Sequence, residues 1–289
     1  MNFAIIGVGG YVAKKHLKAI KDTGNNLLAA VDIHDSVGIL DSFFPRCQFF
    51  TDLEKFLHFI EGKVDYVVVC TPNYLHFTHC MAAISYGANV ICEKPLTLTP
   101  TELHMLKCFA RDNKKTVNVI LQLRLHPATE DLKTESMNNE VNLRYITPRG
   151  QWYDVSWKGD KSKSGGLLMN IGVHMFDLLL HLYGDMESQA GTYIHEKTAG
   201  GTLFLNKAKV RWHLSTFHDE WDSQEPTPSR MLQVNGKPHW FDDDFNDLHT
   251  LSYEKILNGE GFTIENARKS IELVNAIYKT YESNSIRVG

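Results

Sequence analysis

Residues 3–13 read Phe3-Ala4-Ile5-Ile6-Gly7-Val8-Gly9-Gly10-Tyr11-Val12-Ala13. A short apolar run enters a glycine turn directly, the pattern of a buried strand stopped by a tight turn. Beyond the turn Ala13, Leu17 and Ile20 recur at helical spacing, and Gly24 supplies a C-terminal stop. In a strand–glycine–helix unit the backbone passes close to a ligand phosphate, and the helix N-terminus favours the anion. Asp32 follows Gly10 by 22 residues, at the end of a second apolar run, 27–31. A carboxylate there accepts both hydroxyls of an adenosine ribose and repels a 2′-phosphate, so the pattern points to NAD rather than NADP.

The same alternation continues along the chain. Residues 48–50 form a further strand, and Thr51-Asp52-Leu53-Glu54 has capping-box spacing ahead of an apolar helix over 53–60. Asp65–Cys70 is a buried strand halted by Thr71-Pro72-Asn73, and the next helix ends near Gly87. Strands over 88–92 and 116–121 flank a helix running to about Asn113, which opens Thr99-Pro100-Thr101-Glu102. Continuous apolar strands alternating with helices predict an α/β doubly wound parallel sheet over 1–121.

From 122 to 289 the pattern changes. Residues 141–147, 201–205, 208–216 and 231–241 read as longer, hairpin-like strands, the last turning at Asn235-Gly236. Helices are expected over 170–183, 247–258 and 263–281, and a surface loop over 219–230. This second domain is expected to be α+β, on a largely antiparallel sheet.

Composition narrows the partners. The 289 residues are 43% hydrophobic and 22% charged with a net charge of −4, which offers no basic field to a nucleic acid or an anionic membrane. Five cysteines, with no C-x-x-C pair, sit among apolar neighbours and read as reduced core thiols of a cytoplasmic protein. The start, Met1-Asn2-Phe3, lacks the basic region of a secretory signal, and no apolar run approaches the ~18 residues of a membrane span.

Two further motifs carry chemistry. Glu93-Lys94-Pro95 follows the fifth strand, where ligands of open α/β sheets bind beyond the strand ends. Asn170, His174 and Asp177 are spaced i, i+4, i+7, placing three polar groups on one side of an otherwise apolar helix. Such a face requires either a hydrogen-bonded core network or a ligand. No metal is expected, because asparagine is a poor zinc ligand and no cysteine is nearby. His76 and His79 read as a helix surface beside the cofactor turn.

Taken together, Gly7-x-Gly9-Gly10, Thr71-Pro72-Asn73-x-x-His76, Glu93-Lys94-Pro95 and Asn170-x-Gly172-x-His174-x-x-Asp177 resemble the motifs of the Gfo/Idh/MocA oxidoreductases, in order and spacing. That resemblance implies an NAD(P)-binding first domain, a second domain whose open sheet covers the active site and mediates a homo-oligomer (dimer or tetramer), and a lysine and histidine acting on the substrate hydroxyl. Segments 11–13, 19–26, 120–124 and 150–160 are similar to one branch, the UDP-N-acetyl-2-amino-2-deoxyglucuronate 3-dehydrogenases of bacterial surface-polysaccharide (O-antigen) synthesis. This implies a nucleotide-sugar substrate oxidised at its 3-hydroxyl, and NAD recycled by reduction of 2-oxoglutarate.

On this reading Lys94 and His174 are the catalytic pair. Gly7, Gly9, Gly10, Tyr11, Val12, Asp32, Thr71, Asn73, His76, Glu93, Lys94 and Gln122 hold the cofactor. Arg124, Tyr153, Trp157, Lys158 and Asn170 join the catalytic pair at the substrate, with Arg149 and Trp152 beside them and Gly172 letting backbone approach it. A secondary alcohol loses hydride only as its hydroxyl proton leaves, so a base must reach that oxygen. His174 has a suitable pKa and Lys94 would stabilise the alkoxide, although burial could exchange the two roles. Much of the wider family has aspartate where this chain has Asn170, which points to substrate orientation rather than an acid–base dyad. The alternatives are a dehydrogenase of the same family for another sugar or cyclitol, and a non-catalytic NAD-binding regulator.

Overall fold

The strand-length runs of residues 1–121 become six strands of one parallel sheet. β1 (Asn2–Ile6), β2 (Asn26–Val31), β3 (Gln48–Phe50), β4 (Tyr66–Val69), β5 (Asn89–Cys92) and β6 (Val117–Val119) lie in the order β3-β2-β1-β4-β5-β6. Every pairing in it is parallel. The connecting helices are α1 (Ala13–Asp22), α2 (Ile39–Phe43), α3 (Leu53–Ile60), α4 (His76–Ser85) and α5 (Pro100–Asp112). This is the doubly wound Rossmann arrangement read from the sequence. The strand order reverses between β1 and β4, the switch point where such sheets bind ligands beyond their carboxyl ends.

The structure, a computed structural model, describes residues 1–133, 135–220, 229–241 and 247–287. Most of the expected surface loop at 219–230 therefore lies outside the described residues. The chain forms two units, Met1–Gln122 with Phe245–Ala267, and Leu123–Asp244 with Arg268–Gly289. The first unit thus takes back a segment from late in the sequence. α10 (Leu248–Leu257) packs on α1, and Val119 N–H donates to Phe262 O at 2.7 Å. Tyr253 and Ile256 of α10 join Phe3, Leu17, Ile20 and Val68 in one buried core.

The second unit holds a six-stranded sheet ordered β12-β11-β7-β10-β9-β8. Its strands are β7 (Asn139–Ile146), β8 (Met186–Ile194), β9 (Thr198–Leu205), β10 (Ala208–Ser215), β11 (Ser229–Val234) and β12 (Lys237–Trp240). All neighbours are antiparallel except β7 and β10, which run parallel, so the sheet is mixed with an antiparallel majority. The Asn235-Gly236 hairpin forms as read, with φ of 50° and 86° at its two central residues. β8 has no counterpart in the sequence reading. Its face pattern is largely exposed and its register shifts around Gly191, so no alternation marks it.

Short helices α6 (Pro127–Glu130), α7 (Gln151–Val155) and α8 (Lys161–Ser164) precede α9 (Val173–Tyr183), and α11 (Ile264–Arg287) closes the chain. Helical residues over 161–183 form a stretch long and apolar enough by length and composition to cross a membrane, which the sequence reading did not register, and it is mostly buried inside the protein. All five cysteines are free; Cys70, Cys80 and Cys92 are buried, whereas Cys47 and Cys108 are only half-buried.

Local signals set the helix starts. The Thr99 hydroxyl accepts from Glu102 N–H at 3.2 Å while the Glu102 carboxylate accepts from Thr99 N–H at 3.1 Å, so the capping threonine read there forms a full reciprocal capping box. At α3 the cap is Asp52, which accepts from Lys55 N–H at 2.9 Å, rather than Thr51 one residue earlier. Thr99→Ala removes one half of the α5 box and should lower unfolding stability by about 1 kcal/mol, measured as a shift of the urea midpoint at constant slope.

Candidate active site

The glycine turn after β1 is shaped by close approach. Gly7 has φ +91°, and a Cβ there would lie 2.8 Å from Thr71 Cγ2 and 3.0 Å from the Cys70 carbonyl carbon. Gly10 N–H closes the turn on Gly7 O at 3.1 Å. Asp32 faces this turn: its carboxylate accepts from Gly9 N–H at 2.8 Å and from His34 N–H at 3.0 Å. α1 has no side-chain cap and no acidic residue in its first turn, while Tyr11 is 94% exposed. Uncapped N–H groups, a cradle a Cβ would fill and a fixed carboxylate at the next strand end fit a dinucleotide with a free ribose 2′-hydroxyl.

The ends of β4 and β5 lie beside that turn. Thr71 Oγ1 is 3.0 Å from His79 Nδ1, and burial pushes the His79 pKa down to about 4. Asn73 is buried. His76 is also buried, contrary to the helix surface expected. Its Nδ1 lies 2.7 Å from Pro95 O and its Nε2 2.8 Å from Thr71 O. A neutral ring donates to only one of these. Burial, the larger influence, holds the ring below its usual pKa, although both carbonyls favour the proton. The Gln122 side chain is buried with an Oε1 that has no partner, an acceptor that a ligand N–H would satisfy.

Glu93 turns inward. Its Oε1 accepts from His16 Nε2 at 3.1 Å and from His249 Nε2 at 2.9 Å, and its Oε2 accepts from the Lys94 backbone N–H at 3.2 Å. Burial opposes ionisation of Glu93, but the two histidines outweigh it and hold the carboxyl well below the usual range. Sequence reasoning missed His16, His249 and Tyr253. The available signals were a histidine at i+3 from Ala13 on the apolar face of α1, and His249 and Tyr253 four residues apart on α10. Among the described residues His16, Glu93 and His249 are the three His, Cys or acidic side chains whose donor atoms converge, within 4.8 Å, in a metal-like group. Both imidazoles already donate to one carboxylate oxygen, so hydrogen bonding accounts for the group. Lys94 itself is half-buried, ahead of a cis peptide to Pro95.

In the second unit the expected polar face of one helix is divided. Leu168–Gly172 is a π-turn, so Asn170 precedes α9 instead of lying in it. Asn170 Nδ2 donates to Tyr153 Oη at 2.7 Å. Asp177 pairs with Arg124 through Nε at 2.8 Å and Nη2 at 2.7 Å, both side chains nearly buried. Burial is the larger influence on Asp177 and raises its carboxyl, against the pull of Arg124 and Ser270. Arg124, expected at the substrate, is thus committed to a buried bidentate pair. Gly172 also departs from expectation: a Cβ there would meet Leu214 Cδ1 at 2.7 Å and Phe176 Cε2 at 2.8 Å, so its smallness serves helix-on-sheet packing. His174 is half-buried in the first turn of α9.

Segment 149–158 groups cations with aromatic rings. Lys158 Nζ lies 4.7 Å from the Trp157 ring centre and 5.5 Å from that of Trp152, and Arg149 lies 5.9 Å from Tyr153. Burial and the Arg149 charge together lower the Lys158 pKa. Arg149 Nε is buried without a partner. Two cations held this close, one with an unspent donor, suit an anion.

The chain belongs to the Gfo/Idh/MocA oxidoreductase family. Residues 1–121 match its NAD-binding Rossmann fold and residues 139–236 its C-terminal α/β domain. Among solved structures, the WlbA (WbpB) dehydrogenase of Thermus thermophilus in complex with NAD and α-ketoglutarate is 39% identical, covers 96% of this chain and 94% of that one, and superposes with a TM-score of 0.92. The same enzyme in complex with NAD and UDP-GlcNAcA is 40% identical over 95% and 93% of the two chains, with a TM-score of 0.90. The D-glucoside 3-dehydrogenase of Escherichia coli K12 is 27% identical over 64% of this chain, which spans about half, 54%, of that relative's length.

Arg124→Ala leaves Asp177 buried without its main partner and should cost about 3–5 kcal/mol in denaturant unfolding. Adding Asp177→Leu should recover most of that loss. A substrate-contact role for Arg124 instead predicts unchanged stability and a raised KM.

Proposed function

We propose that this protein oxidises the 3-hydroxyl of UDP-N-acetylglucosaminuronate to a ketone with NAD, and that 2-oxoglutarate is reduced to 2-hydroxyglutarate to regenerate the cofactor. The observation that carries this reading is likeness along nearly the whole of both chains to a Thermus enzyme solved with NAD and with each of these two molecules. The carbon-3 position is supported by the named activity of the Escherichia coli relative. The two electrons and the C3 hydrogen leave the sugar and end on C2 of 2-oxoglutarate, while the hydroxyl proton passes to the protein and a proton from the protein completes the new hydroxyl.

Residues 1–121, joined by 245–267, form the NAD part, and the rest of 122–289 the substrate part. The Gly7–Val12 turn and the α1 N-terminus hold the pyrophosphate. Asp32 holds the adenosine ribose; Thr71, Asn73, His76, Lys94 and Gln122 lie toward the nicotinamide, while Glu93, expected there from the sequence, is turned into its buried cluster. NAD supplies the hydride acceptor when bound. Lys94 polarises the substrate oxygen and stabilises the charge that develops there. His174 accepts its proton, and Asn170, held by Tyr153, orients the sugar. Arg149 and Lys158 meet the diphosphate or carboxylate, with Trp157 against the sugar or uracil. Arg124 enters through Asp177 as support for α9. The free thiols and the absence of a basic field fit a cytoplasmic protein that binds neither nucleic acid nor membrane, and the family resemblance implies a homo-oligomer, dimer or tetramer.

Purified protein given UDP-N-acetylglucosaminuronate, 2-oxoglutarate and NAD should form 2-hydroxyglutarate detectable by mass spectrometry, and product formed without added NAD would support a cofactor kept between turnovers. Lys94→Ala and His174→Ala should each cut turnover by about 10²–10⁴-fold while NAD affinity stays nearly constant. Wild-type turnover in both would end the assignment, and turnover only with another sugar or an inositol would move it to a sister activity. Asp32→Ala should weaken NAD binding by about tenfold or more and narrow the preference over NADP, measured by titration with each dinucleotide.

A further inference from the structure

The residue before Lys94 is a fully enclosed carboxylate, and nothing in the hydride chemistry uses it directly. Three N–H groups meet it: His16 Nε2, His249 Nε2 and the Lys94 backbone. Tyr253 Oη lies 2.8 Å from His16 Nδ1, so the phenol donates to Nδ1 and leaves the His16 proton on Nε2, aimed at Glu93. Burial holds His16 below its usual pKa, keeping the ring neutral, and raises Tyr253 well above the phenol range. The two imidazoles meet edge to face, with centres 5.1 Å apart at 88°. The remaining titratable groups that sense Glu93 are Cys70, Cys92 and His76; burial keeps both thiols protonated and lowers the His76 pKa. Glu93 itself is thereby held as the carboxylate anion.

Enclosing a carboxylate costs several kcal/mol, and apolar packing of similar volume stabilises a fold at least as well. The cluster also tolerates an orphan, since His249 Nδ1 is buried without a partner. Stability alone does not account for such a group, and its attachment to the backbone of Lys94 does.

We propose that the His16–Glu93–His249 cluster is a positioning and charge-setting device for Lys94. Glu93 fixes the Lys94 backbone and, as an anion one residue away, favours the ammonium form, so that proton acceptance falls to His174. This rests on the reading that Lys94 meets the substrate oxygen. The return of 245–267 to the first unit thereby has a catalytic purpose, because it delivers His249 and Tyr253.

The test compares Glu93→Gln, His249→Leu, His249→Gln and Lys94→Ala in the full-length protein, with thermal midpoint and NAD affinity measured for each. Glu93→Gln should lower kcat about tenfold or more with NAD affinity within about twofold. With the anion gone the Lys94 ammonium loses its proton more readily, so the alkaline limb of the kcat/KM profile should move down by about one pH unit. His249→Leu should follow Glu93→Gln, and His249→Gln, which keeps an N–H donor, should stay within about threefold of wild type. Wild-type kcat and pH profile in Glu93→Gln would overturn the proposal. So would a loss of kcat that tracks the thermal midpoint with no movement of the limb. If Glu93→Gln does not fold, the histidine pair decides: equal activity of the leucine and glutamine variants rejects the device. Wild-type turnover in Lys94→Ala would reject the underlying functional reading, whereas an inactive Lys94→Ala beside an unaffected Glu93→Gln rejects this proposal alone.

Discussion

A single enclosed carboxylate ties the first unit together. Glu93 stands at the end of β5, yet its three donors come from α1, from α10 and from its own neighbour Lys94. An unpaired buried charge is intolerable, so each donor constrains the element that bears it. α1 must present His16 inward at the same helical phase as Leu17 and Ile20. α10 must return more than 150 residues after Glu93 to bring His249 within 2.9 Å and Tyr253 against His16. The sheet and the returning helix are therefore joined by a polar bond network as well as by the apolar contacts of Tyr253 and Ile256.

A second clamp works one strand away. His76 stands between the carbonyls of Thr71 and Pro95, the loops that leave β4 and β5. The neutral ring donates to one of the two and lies against the other, next to the Lys94 amide that Glu93 fixes. Groups that must meet a reacting atom within a few tenths of an ångström need this kind of support, and rigid strand ends with satisfied polar neighbours provide it. In the second unit Arg124 and Asp177 play the corresponding part for α9, and Tyr153 for Asn170.

The first sheet was legible because its signals are local: apolar runs of strand length, glycine turns and a capping threonine before proline at Thr99-Pro100 each act within a few residues. The Asn235-Gly236 hairpin was legible for the same reason. What escaped the sequence reading depends on distant partners. His249 looks like any histidine on an ordinary helix until Glu93 is placed beside it. Asn170, His174 and Asp177 have α-helical spacing in sequence, and only the π-turn over 168–172 separates the first from the others. Gly172 resembles a glycine that admits a ligand, whereas Leu214 and Phe176 occupy the space its side chain would need. β8 was invisible because a half-exposed edge strand with a bulge carries no alternation. The motifs themselves were read correctly as motifs; the division of labour among their side chains was not local.

These pieces converge on an NAD-dependent oxidoreductase whose first unit carries the dinucleotide fold, and the proposed function gives Lys94 and His174 the substrate oxygen. The most direct measurement follows the C3 hydrogen. With UDP-N-acetylglucosaminuronate deuterated at C3 and unlabelled 2-oxoglutarate, turnover should place the deuterium on C2 of 2-hydroxyglutarate. A sugar that keeps its deuterium while product forms, or label released entirely to water, would contradict the account.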